Sequence, residues 1–145
     1  MFSRTVERVL NAAAREAVSR RHSHLTLEHL LFAVLGEPDG EKILRASGAD
    51  TARLRQELGT FLEESLEVLP IGSRRAPEQT LAFRRVLQTA VLHVQSAGKT
   101  EADIGDVLAA LMAQSRSYAV DLLAAQGVTR LDILNYISHG LAKHR

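Results

Sequence analysis

The sequence predicts an all-α fold of eight helices, built as two four-helix repeats related by pseudo-twofold symmetry. Two observations predict it. Apolar residues recur at three- and four-residue steps along nearly the whole chain, with no segment alternating as a strand would. The chain also matches itself. Val9-Leu10-Asn11-Ala12-Ala13 aligns with Val86-Leu87-Gln88-Thr89-Ala90, a shift of 77 residues. At the same shift, His29-Leu30-Leu31-Phe32-Ala33-Val34-Leu35 meets Asp106-Val107-Leu108-Ala109-Ala110-Leu111-Met112. Ile43-Leu44-Arg45-Ala46-Ser47-Gly48 then meets Leu122-Leu123-Ala124-Ala125-Gln126-Gly127 at a shift of 79, which fits a two-residue loop insertion. Residues 4–62 are therefore repeated by 81–141. A period this long, spanning several helices, points to two packed copies of one bundle rather than a thin solenoid.

The helices follow in order. Val6, Val9, Leu10, Ala13, Ala17 and Val18 share one stripe, giving a first helix from about Ser3 to Arg21. Thr26 is placed to cap a second, with Glu28 in its first turn favoured by the helix dipole and an end near Gly36. A short third runs from about Asp39 to Ser47 and stops at Gly48. Asp50 caps a fourth, whose Leu54, Leu58, Phe61 and Leu62 face inward, while Gly59 weakens its middle by ~1 kcal/mol of propensity. In the second copy, Phe83, Val86, Leu87, Ala90, Val91 and Val94 form the stripe of a fifth helix, with Thr80 as its N-cap and Gly98 at its end. Asp103 caps a sixth with Asp106 at its third position, and a seventh covers about Ser117 to Gln126. Thr129-Arg130-Leu131-Asp132 reads as a capping box opening the eighth. The expected organisation is one domain over 1–145, with repeat one about 1–66, a Pro/Gly-bearing linker about 67–77 and repeat two about 78–143. The Arg74-Arg75 pair argues for an exposed linker.

Composition narrows the chemistry. The 145 residues include no cysteine, which excludes disulfides and thiolate catalysis, and 18 Lys+Arg against 17 Asp+Glu leave a net charge of +1. Neither a nucleic acid nor a membrane partner is indicated by that balance. Twelve arginines from Arg4 to Arg85 are interleaved with acids, and four Phe and two Tyr offer little base stacking, so they read as a solvated, charge-mixed face. The N-terminus lacks an apolar secretory core and no run reaches the ~20 apolar residues of a membrane span, so the expected location is cytoplasmic. Phosphate-cradling and nucleophile-elbow motifs are missing. Histidine is the remaining candidate. His22-Ser23-His24 follows the first helix, His29 lies in the second and His93 late in the fifth. A zinc site from His22, Glu63 and His93 requires those helix ends to converge; otherwise these are histidines with local hydrogen bonds.

At Thr26-Leu27-Glu28-His29-Leu30-Leu31-Phe32-Ala33-Val34-Leu35 the chain resembles the Clp N-terminal domain, the doubled four-helix module that heads Clp/Hsp100 unfoldases. Leu54-Arg55-Gln56-Glu57-Leu58, Arg85-Val86-Leu87-Gln88, His93-Val94-Gln95-Ser96-Ala97-Gly98 and Asn135-Tyr136-Ile137-Ser138-His139-Gly140 extend the resemblance over essentially the whole chain, toward the ClpA branch of that family. The resemblance implies a non-enzymatic docking module of a hexameric AAA+ ATPase. Such a module binds the ClpS adaptor, which brings N-degron substrates for unfolding and transfer to the ClpP peptidase. It implies that the chain alone, without ATPase modules, neither hydrolyses ATP nor unfolds proteins, and it needs no cofactor beyond the possible zinc. The family's adaptor surface maps here onto Glu28, Thr80 and Arg85, while Ser23 stands where ClpA relatives can carry an acid. A phosphoarginine reader of the ClpC kind needs a Glu in both copies; here Gly105 stands opposite Glu28. The alternative is direct chaperone action, with an apolar groove between the copies catching unfolded polypeptide.

Overall fold

A computed structural model describes residues 1–114 and 116–143. Among these, eight helices follow in order: α1 (Arg4–Ser19), α2 (Leu27–Leu35), α3 (Pro38–Ala46), α4 (Thr51–Glu64), α5 (Leu81–Ser96), α6 (Ile104–Met112), α7 (Tyr118–Ala125) and α8 (Arg130–His139). The all-α architecture is the one the periodicity predicts. Every expected element is present, with ends displaced by one or two residues where caps lie just outside the helical turns.

Local chemistry explains most boundaries. Ser3, Thr26, Asp50, Thr80, Asp103 and Thr129 each occupy an N-cap, their side-chain oxygens accepting backbone N–H groups at the helix starts. Each such cap contributes roughly 1 kcal/mol. Pro38 opens α3, where its missing N–H costs nothing. Gly48, Gly98 and Gly127 follow helix ends with positive φ, the conformation their lack of a Cβ permits. Gly59 does not interrupt α4.

α2 and α6, pseudo-symmetric mates, are the central helices. Leu27, Leu30, Leu31, Val34 and Leu35 of α2 are buried, as is every residue from Ile104 to Leu111 of α6. A short helix that is apolar on nearly all sides belongs in the middle of a bundle. α1 packs on α2 as α5 packs on α6, and α4 on α2 as α8 on α6. The copies then interlock reciprocally, with α2 against α7 and α3 against α6, and with α4 against α7 and α3 against α8. Two glycines permit close packing. A Cβ on Gly40 would lie 2.4 Å from the Val34 carbonyl oxygen, and one on Gly105 would lie 2.6 Å from Ile137 Cγ2.

Two features depart from the sequence-based expectation. The segments preceding the helices form short extended ladders: β1 (His24–Leu25) pairs in parallel with β2 (Glu78–Gln79), and Phe2 bridges Ala102. At the repeat shift of 77 residues, Phe2 corresponds to Gln79 and Leu25 to Ala102. Each copy thus lends the leader of its first helix to the leader of the other copy's second helix. Two-residue ladders are too short to leave an alternating pattern. The linker is also not uniformly exposed. Leu69 is buried, its N–H donating to the Arg21 carbonyl at 2.7 Å while the Arg21 guanidinium donates to the Leu69 carbonyl at 2.9 Å. Arg74 and Arg75 are exposed as expected.

Candidate docking surface

The β1–β2 ladder sets the starts of α2 and α5 side by side. Thr80 N–H donates to the Leu25 carbonyl at 3.1 Å, tying the residue before one N-cap to the other N-cap. Thr80 Oγ1 is itself occupied, accepting from Phe83 N–H at 3.1 Å. One turn on, Arg85 is exposed and makes no hydrogen bond or ion pair among the described residues. Leu81, at the first position of α5, is also exposed. This edge therefore presents a cation beside an apolar side chain on a rigid helix start.

Glu28 faces a different way. Only 8% exposed, its carboxylate accepts from Ser117 Oγ at 3.1 Å and from Ala119 N–H at 3.0 Å. Ser117 is the N-cap residue of α7 and contributes no cap of its own, so Glu28 performs that task from the other copy. A carboxylate at a helix start satisfies an orphan N–H and the positive end of the helix dipole together. The first-turn acid expected to complement its own helix thus also anchors another. Its pseudo-symmetric mate is Gly105, against which Ile137 packs.

The structure corrects the zinc expectation. His22, Glu63 and His93 are not brought together, and among the described residues no group of three or more His, Cys, Asp or Glu side chains is placed to hold a metal ion. His22 is buried and engaged elsewhere, its Nδ1 lying 2.7 Å from His29 Nε2. Glu63 and His93 are exposed, His93 beside a cavity with Lys99 and Tyr136. The His22–His29 pair was not legible beforehand, although it has a logic of its own. Thr26 N–H donates to His29 Nδ1 at 3.0 Å, completing a capping box in which histidine replaces the usual Glu at the third position. Nδ1 is then an acceptor, so the proton resides on Nε2 and is donated to His22 Nδ1. Both rings are held neutral. Burial lowers the His29 pKa to about 4, helped by the nearby His22 and Arg20, and burial likewise lowers that of His22.

Two interlocked four-helix copies that pair their leader strands, the first also capping a helix of the second, define a duplicated helical repeat domain. The family model described as the Clp repeat (R) N-terminal domain matches residues 1–126, and the chain belongs to that family. It is similar to a ClpA homolog protein of Fuscovulum blasticum, 42% identical over 145 residues covering 98% of this chain and 18% of that protein. It is also similar to chaperone protein ClpB of Mesorhizobium japonicum, 26% identical over 146 residues covering 99% of this chain and 16% of that protein. The chain thus spans less than a fifth of either relative's length. Among solved structures, the Hsp104 N-terminal domain from Candida albicans aligns with a TM-score of 0.80 at 14% identity, covering 97% of this chain and 93% of that one. A ClpV N-domain in complex with a VipB peptide aligns with a TM-score of 0.75 at 19% identity, covering 95% and 85%. At those identities the likeness is one of fold.

Proposed function

We propose that this chain is the adaptor-docking module of a Clp-type AAA+ unfoldase. It binds ClpS and so delivers N-degron substrates for ATP-dependent proteolysis with ClpP, in the cytoplasm, while the chain itself performs no catalysis. The observation that carries the reading is the exposed start of α5, where Arg85 and Leu81 stand free beside the ladder joining the two copies. An unpaired guanidinium next to an apolar side chain supplies a directional anchor and a desolvated contact, the pairing that protein docking sites favour. Family membership and the identity with a ClpA homolog support the same reading.

The three mapped residues do not contribute alike. Arg85 makes the direct contact. Thr80 holds α5 at the angle that presents it, and Glu28 acts behind the surface by fixing α7 against α2. Titrating ClpS into the isotopically labelled chain should shift amide resonances clustered on Leu25, Thr80, Leu81 and Arg85. Shifts confined to α3, α8 or the opposite face would place the adaptor elsewhere and overturn this surface.

A further inference from the structure

A strained residue sits where the linker first pairs with the bundle. Arg21 follows α1 in the left-handed region with φ 57°, and its mate at the repeat shift of 77, Gly98, has φ 77°. Both close their helix in the same way. Arg21 N–H donates to the Val18 carbonyl and His22 N–H to that of Ala17, as Gly98 N–H donates to Gln95 and Lys99 N–H to Val94. The turn itself is served by glycine, and an arginine there bears a steric cost that glycine avoids. What arginine adds is its side chain. The guanidinium donates to the Leu69 carbonyl at 2.9 Å while Leu69 N–H donates to the Arg21 carbonyl at 2.7 Å, so one residue holds both backbone polar groups of another. Leu69 is also the single buried residue between Leu62 and Phe83.

The far end of the linker shows what this clasp is for. Ser23 N–H donates to the Glu67 carbonyl at 3.1 Å, and the Ser23 carbonyl accepts from Glu78 N–H at 3.0 Å. The two ends of the linker thus meet at Ser23, and residues 70–77 close as a loop between them. β2 has little of its own to fix its register, because Glu78 and Gln79 are both exposed and no side chain of the strand is committed to a buried face. A slip of one residue would displace Thr80, the N-cap of α5. We infer that Arg21 is the positioning residue of the docking edge. By clasping Leu69 it fixes where the loop begins, and the length of the loop then sets the register of β2 and the place of Leu81 and Arg85. The consequence for binding rests on the adaptor-docking reading, whereas the effect on the ladder does not.

Hydrogen exchange tests this with Arg21→Asn, since asparagine accepts a left-handed backbone but cannot reach the Leu69 carbonyl. The amides of Ser23, Leu69, Glu78 and Thr80 should exchange about tenfold faster than in the unsubstituted chain, while amides in the middle of α2 and α6 keep their rates. Arg21→Lys should restore most of the protection, because the contact is a single donor to a carbonyl, which an ammonium also makes. One glycine inserted after Gly72 leaves Arg21 in place; it should speed exchange at Glu78 and Thr80 but not at Leu69. Both Arg21→Asn and the insertion should weaken ClpS binding about tenfold, which separates loss of position from loss of a direct Arg21 contact. Unchanged exchange at Glu78 and Thr80 in Arg21→Asn would overturn the inference, as would faster exchange throughout the helices, the mark of a merely stabilising residue. A loosened ladder with full ClpS affinity would overturn the positioning role and leave the docking reading intact. Failure of the unsubstituted chain to bind ClpS would sink the docking reading alone, with the exchange pattern still deciding whether the clasp sets the ladder.

Discussion

Glu28 shows how a residue placed by its own helix can be claimed by another. Removing its carboxylate in Glu28→Ala leaves the Ser117 hydroxyl and the Ala119 N–H buried without their acceptor, at a cost of about 1.5–3 kcal/mol. Urea unfolding should show that loss as a lowered midpoint, whatever the partner. An unchanged midpoint would mean that α7 finds another cap. The His22–His29 pair makes a separate prediction. An unfolded histidine titrates near 6.5, whereas His29 in the fold titrates at about 4, so between those values the unfolded chain binds more protons. The stability held by the neutral ring is therefore complete above about pH 6.5, declines as the pH falls toward 4 and levels off below. The full change is on the order of 3 kcal/mol. The chain should have a distinctly lower urea midpoint at pH 4.5 than at pH 7, and His29→Gln should flatten that dependence. A wild-type profile as flat as the variant's would contradict the buried neutral pair.

At the scale of elements, glycines separate local propensity from packing. Gly59 in α4 has only an ordinary contact, a Cβ there meeting Phe32 at 3.9 Å, so Gly59→Ala should stabilise by about 0.5–1 kcal/mol. Gly40→Ala gains the same propensity but drives a Cβ into the Val34 backbone, so it should destabilise instead, and paired thermal melts would reveal the opposite signs. The elements themselves were largely legible in the sequence, because each rests on local signals. Thr26, Thr80, Asp103 and Thr129 announce starts, Gly48, Gly98 and Gly127 announce ends, and the stripes between them show the period. The ladder of His24–Leu25 with Glu78–Gln79 was not legible, since two residues carry no period and their partners lie 54 positions away. The same reason hid the Glu28 contact to Ala119, which spans 91 positions. The site residues were visible as residue types at helix starts. Their division into a buried anchor, a cap and an exposed cation depends on packing that no local spacing encodes.

Across the whole molecule, the pseudo-twofold repeat has diverged at the start of its second helix in each copy. The helices, the crossing leaders and the buried α2 and α6 persist in both copies. Glu28 in one copy faces Gly105 in the other, and the third capping position holds His29 in one and Asp106 in the other. The symmetric scaffold thereby carries different chemistry at the starts of α2 and α6. The most direct test of the docking account is a calorimetric titration of the chain with ClpS, repeated with Arg85→Ala. Saturable one-to-one binding that weakens about tenfold or more in the variant, with unchanged thermal stability, is the predicted result for a charge-assisted contact. Binding of equal strength in the two proteins, or none in either, would contradict it.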